Sequence, residues 1–162
     1  MRTKSYEVFQ FEELTEKAKK KAIESLCDIN VDYEWWDSIY DDAKNIGMKI
    51  KEFDIGRGAY CKIKYVKSFE SVLDKIIGEH GKDCETHKTA KAFKEQLGKL
   101  SLAGEFAYEN ARDELRDEFL PAIQEDYRIM LQHEYDYLTS KEAIIETIEA
   151  NEYEFREDGT LD

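Results

Sequence analysis

Two imidazoles and a thiol, His80, Cys84 and His87, fall within eight residues as H-x3-C-x2-H, with Asp83 among them. Neutral imidazole and thiolate are zinc ligands, and Cys27 or Cys61 could supply a fourth, which is the donor set of a metal-dependent enzyme. The spacing matches no finger pattern and no C-x-x-C accompanies it, so the sequence predicts an ordinary helix-ending loop, with no metal and no cofactor. Nucleophilic catalysis has less support. There is no G-x-S-x-G elbow, and Cys27 and Cys61 fall on apolar faces, where thiols are inert. His133, between Gln132 and Glu134, reads as a solvated imidazole. Gly56-Arg57-Gly58 is too short to cradle a phosphate, and no dinucleotide fingerprint or P-loop is present. These residues predict a protein that is not an enzyme.

Carboxylates offer binding chemistry instead. Glu105, Glu109, Asp113 and Asp117 recur every four residues, about 6 Å apart along a helix axis. Together with Glu118, Glu125 and Asp126 they form a row that could imitate a phosphate strand on the groove of a nucleic-acid-handling partner. The plainer meaning is a solvated helix face tempered by Arg112 and Arg116. Trp35 and Trp36 are a second candidate. Neighbours on a helix point about 100° apart, so one indole is expected in the core and the other at its edge, among Asp32, Asp37 and Asp41, as a binding anchor or a cover for the sheet rim. A third candidate has the opposite sign: Lys49, Lys51, Arg57, Lys62 and Lys64, with Tyr60 as a stacking ring, would suit RNA or DNA.

The elements that must carry these residues can be read from periodicity. Ser5–Phe9 alternates as a short strand. Thr15 caps a helix with Ala18, Ala22, Ile23 and Leu26 on its apolar side. A second helix is predicted after Asp32, carrying Trp35, Trp36, Ile39, Tyr40, Ala43 and Ile46, and ending at Gly47. Met48–Val66 reads as a β-hairpin turned at Gly56–Gly58. Ser68 caps a third helix, and a short helix is predicted around Thr89–Leu100. One long helical phase then runs from Gly104 to Leu138, with Pro121 predicting a kink or break near Asp117–Leu120. Thr139 or Ser140 caps a last helix, and Tyr153–Phe155 reads as a terminal strand. The expected fold is α+β, a small antiparallel sheet of three to four strands packed against several helices, in a single domain over 1–162.

Composition narrows the class. The 162 residues carry a net charge of −13 with 12% aromatic side chains, too many rings for a disordered chain. Residues 1–100 hold 19 basic and 19 acidic side chains, whereas 101–162 hold 5 and 18. All of the excess is therefore in the last third, and it repels nucleic acid and attracts basic partners. Residues 44–67 carry seven cations against Glu52 and Asp54. No apolar run reaches the ~18 residues that cross a bilayer. The N-terminus shows no apolar leader and the three Cys are too few for a disulfide frame, so a cytosolic, reduced protein is expected.

Three blocks, N-V-D-Y-E-W-W-D-S-I-Y-D-D-A-K-N-I-G (Asn30–Gly47), E-H-G-K-D-C-E-T-H-K-T-A (Glu79–Ala90) and Y-L-T-S-K-E-A-I-I-E-T-I-E-A-N-E-Y-E-F-R-E-D-G (Tyr137–Gly159), resemble a family of small acidic proteins. Its members are encoded by bacteriophages and other mobile elements and are often labelled antitoxins of toxin–antitoxin systems. The resemblance spans nearly the whole chain. It implies a phage accessory protein in the host cytosol and carries over no catalytic or binding residue. The expected function is non-catalytic binding and inhibition of a host protein, such as a toxin or a CRISPR effector nuclease. No membrane and no direct nucleic-acid ligand is expected, and pairing of the long helix with a second copy is compatible with this reading. The alternative is an RNA- or DNA-binding module built on the basic hairpin.

Overall fold

The structure is a computed structural model describing residues 1–101 and 104–162. Its elements are β1 (Phe9–Gln10), a 3-10 turn (Phe11–Glu13), α1 (Glu16–Ser25), α2 (Asp37–Asn45), β2 (Met48–Asp54), β3 (Tyr60–Tyr65), α3 (Phe69–Glu79), α4 (Glu85–Leu100), α5 (Glu105–Leu138), α6 (Lys141–Ala150) and β4 (Glu154–Phe155). The class is α+β, as expected. In place of one sheet of three to four strands there are two antiparallel ribbons, β1 with β4 and β2 with β3. The two short strands find each other instead of the hairpin, so neither ribbon grows. The chain gathers into two compact units, residues 1–35 with 134–162, and residues 36–133.

The first unit has a core of Phe11, Leu14, Ala18, Ala22, Ile144, Ile148 and Phe155. Thr15 Oγ1 accepts from the Ala18 N–H and Ser140 Oγ from the Ala143 N–H, so both helices start on the caps that the sequence offers. The expected strand over Ser5–Phe9 is reduced to Phe9–Gln10, which pair with Phe155 and Glu154. Gly159, at φ +87°, lies so close to α1 that a Cβ there would sit 2.2 Å from the Ala18 carbonyl oxygen. Only glycine satisfies both conditions. Lys21 Nζ holds the same turn, 2.9 Å from Asp158, and that pair with the Thr160 contacts keeps the Asp158 carboxyl well below the usual carboxylate range. A buried amide completes the unit. Asn30 Nδ2 donates to the Leu138 carbonyl at 2.9 Å, and Thr147 Oγ1 donates to Asn30 Oδ1 at 2.6 Å.

In the second unit the apolar stripe of α5 (Leu115, Phe119, Ile123 and Tyr127) is buried, as are Phe69, Val72, Leu73 and Ile76 of α3. Phe119 meets the Phe69 ring at 5.5 Å and the Phe93 ring at 5.3 Å. Of the kink or break expected at Pro121, the break does not occur: α5 runs unbroken past it. Proline removes a single bond, to the Asp117 carbonyl, and the buried stripe continues on both sides of it to hold the helix. α3 runs through Gly78 and ends at Glu79, and α4 starts at Glu85, ahead of the expected Thr89. The hairpin forms as read. A bulge between Ile50 and Glu52 places Ile50 opposite Ile63, Glu52 opposite Lys62 and Phe53 opposite Cys61.

Candidate functional site

α5 presents two rows at four-residue spacing. Leu115, Phe119, Ile123 and Tyr127 are buried, while Glu105, Glu109, Asp113 and Asp117 are exposed. A two-residue offset is about 200° of helix rotation, so the acidic row lies opposite the core. The arginines expected to temper it reach one member of the row, Asp113, and otherwise turn elsewhere. Arg112 makes a two-pronged pair with Glu70, its Nη2 at 2.8 Å, and reaches Asp113 at 2.9 Å. Glu70 raises the affinity of this guanidinium for its proton, and Arg112 in turn lowers the Glu70 carboxyl. Arg116 lies over the Tyr65 ring at 4.8 Å. Among the described residues no ion pair reaches Glu105, Glu109, Asp117 or Glu118. Glu125 is held by Arg128 at 2.6 Å. Asp126 leaves the row: it is half-buried and accepts the Thr89 hydroxyl at 2.6 Å.

The indoles are placed differently from expectation. α2 begins at Asp37 with Trp36 as its N-cap, so neither Trp35 nor Trp36 lies in the helix. The 100° separation expected of helical neighbours does not apply to them. Each is half-buried. Trp35 packs on Tyr135 in the first unit at 5.7 Å, and Trp36 on Phe53 in the second at 5.5 Å.

On the hairpin, Lys49, Lys51, Arg57, Tyr60, Lys62 and Lys64 are all exposed. Lys62 is engaged, 2.7 Å from Glu52 and 5.3 Å from the Tyr60 ring centre. Lys49 stands directly opposite Lys64 across the ladder, a like-charge placement that works against the sheet. Tyr65 faces inward and donates to the Arg116 carbonyl at 2.9 Å. Burial pushes the Cys61 thiol up to about 11, which makes it unreactive.

His80, Cys84 and His87 are not arranged as ligands. His80 Nε2 lies 3.1 Å from Asp42 Oδ1, and Nδ1 lies 2.7 Å from Thr86 Oγ1. His87 Nδ1 donates to the His80 carbonyl at 2.9 Å, and Cys84 is exposed at the N-cap of α4. Among the described residues no group of three His, Cys, Asp or Glu is placed to hold a metal. The structure supplies a network that sequence reasoning missed. Tyr127, fully buried, donates to Asp42 Oδ2 at 2.7 Å. Burial would raise the Asp42 carboxyl, but the bonds from His80 and Tyr127 outweigh it and hold it below the usual range. Burial and the bond to Asp42 raise the Tyr127 phenol. Asp42, His80 and Thr86 line a cavity of about 390 Å³ whose wall includes Cys84, Glu85, Asp126, Ile129, Met130 and His133. The only local signal was His80 and Thr86 six residues apart; Asp42 and Tyr127 are brought in by the fold. Comparison of the chain with protein-family models, with curated proteins and with solved structures returns no match.

Proposed function

We propose that this chain is an accessory protein, of the phage-encoded kind its resemblance implies, that binds and inhibits a host protein through the acidic face of α5. The inhibition is by occupancy, with no turnover. The observation that carries the reading is the exposed row Glu105, Glu109, Asp113 and Asp117, set opposite the buried stripe; of these only Asp113 is reached by Arg112, which also pairs with Glu70, while Arg116 lies over Tyr65. A regular line of carboxylates complements a basic groove, which favours a nucleic-acid-handling target such as a toxin or a CRISPR effector nuclease. The test is the triple reversal of Glu109, Asp113 and Asp117 to Lys. Exposed helix charges contribute only about 0.2–0.5 kcal/mol each, so the variant stays folded. Its association with a host target captured by the parent protein should slow at least about tenfold, and the parent interaction should weaken with ionic strength. Retained binding in that variant, with loss in a folded Trp36→Ala, assigns the interface to the indole instead.

A second reading rests on the hairpin, where Lys49 faces Lys64 at a cost to the sheet. An anionic strand would relieve that repulsion. Filter binding of single-stranded RNA across a salt series tests it: a steep decline with salt, lost in Lys49→Gln with Lys64→Gln, supports a nucleic-acid module.

A further inference from the structure

The cavity at the start of α4 holds a hydroxyl, an imidazole and a carboxylate in a line. An ionised Asp42 can only accept, so both of its contacts must be donors: Tyr127 O–H at 2.7 Å and His80 Nε2–H at 3.1 Å. That fixes the tautomer of the neutral ring. His80 Nδ1 is left with its lone pair, 2.7 Å from Thr86 Oγ1, and the Thr86 hydroxyl donates to it. A hydroxyl hydrogen-bonded to an imidazole that is itself oriented by a carboxylate is the arrangement that activates an oxygen nucleophile. Thr86 also occupies the first turn of a 16-residue helix whose N-cap, Cys84, makes no side-chain capping bond. The N–H groups of that turn have no acceptor inside the helix, which makes them donors available to a carbonyl oxygen attacked at Thr86.

We propose that Thr86, His80 and Asp42 form an acyl-transfer centre that hydrolyses small carboxylic esters. Thr86 Oγ1 bonds to the ester carbonyl carbon while its proton passes to His80 Nδ1. The tetrahedral oxyanion collapses, the carbon–oxygen bond to the alcohol breaks, and the His80 proton moves to the departing oxygen. Water, deprotonated by the same nitrogen, attacks the Thr86 ester, restores the hydroxyl and releases the carboxylic acid. No electrons are exchanged with a cofactor. Asp42 is a positioning residue, and Tyr127 positions Asp42. The wall sets the substrate class. Ile129 and Met130 suit a short acyl chain, and Glu79, Glu85 and Asp126 line the cavity with no Lys or Arg, which disfavours anionic esters. This activity is separate from the binding function of the acidic face and stands or falls independently of it.

The experiment is hydrolysis of p-nitrophenyl butyrate by the full chain, joined to mass mapping of the adduct left by a fluorophosphonate probe. The expected result is turnover of the ester and a probe adduct on Thr86. Thr86→Ala should lower kcat/KM at least about 100-fold. Thr86→Ser, which keeps the nucleophile, should stay within about tenfold of the parent. Should Thr86→Ala fail to fold, the position of the adduct in the parent chain decides. Hydrolysis no faster than that of a folded Thr86→Ala, or an adduct on Cys84, overturns the assignment.

Discussion

Each unit holds a polar anchor, and the two are built from different chemistry. In the first, Asn30 bridges the Leu138 carbonyl and the Thr147 hydroxyl, all neutral groups. Thr147 also has an alternative acceptor, the Ala143 carbonyl at 3.1 Å. In the second, Asp42 gathers the His80 ring and the Tyr127 phenol around a carboxylate. A neutral bridge with a second acceptor tolerates damage. A charged hub whose donors converge on one carboxylate concentrates the cost of losing it and makes it depend on pH.

The largest effect should come from removing the hubs. Asp42→Ala leaves a buried phenol and an imidazole N–H without their acceptor, a loss of about 3 kcal/mol. Asn30→Ala should cost about 1–2 kcal/mol, because the Thr147 hydroxyl can turn to Ala143. Paired urea melts of the two variants measure the difference, and equal losses would break the contrast. A second effect separates them by acidity. The folded Asp42 carboxyl is held below its ordinary value, so its stabilisation is present above about pH 4 and is lost as pH falls through the folded value. Thermal melts between pH 7 and 2 should therefore show a shallower acid decline in Asp42→Asn than in the parent, whereas Asn30→Ala should keep the parent slope. The smallest effect lies beside the hub. Burial raises the Asp126 carboxyl, aided by Glu85 and Glu125 and opposed by the Thr89 bond. Its ionisation therefore disfavours the fold at neutral pH. Asp126→Asn keeps an acceptor for Thr89 and should stabilise by less than about 1 kcal/mol at pH 7, a gain that disappears as pH falls below about 4. Calorimetry at the two pH values measures it.

What could be read from the sequence was what neighbouring residues decide. Thr15, Ser68 and Ser140 each accept an N–H three residues on, and the hairpin turn falls at its glycines, because caps and turns are settled within a few residues. The apolar stripe and the exposed acidic row of α5 followed from period alone. Trp35 and Trp36 lie outside the helix that spacing predicts for them, because rings distant in sequence, Tyr135 and Phe53, decide where they sit. α4 starts earlier than apolar spacing predicts because its first turn buries Thr86 and His87, which are polar. The hub was hidden for the same reason: Asp42, His80 and Tyr127 share no spacing rule, and only the packing of α2, α3 and α5 makes them neighbours.

The bulge in β2 separates chain length from pattern. Lys51 is the residue with no partner opposite it: Ile50 pairs with Ile63 and Glu52 already pairs with Lys62. Deleting Lys51 would leave Ile50, Glu52 and Phe53 in strict alternation, with every remaining cross-strand pair intact. The hairpin therefore has one residue to spare, and a one-residue deletion there is milder than a reversal of polarity at Ile50 or Phe53. What the deletion would change is shape. A bulge bends its strand and tightens the local twist, and β2 has a second edge that no strand among the described residues covers. A straightened β2 would offer that edge as a flat template to other chains, so the spare lysine acts as a guard against edge-to-edge aggregation.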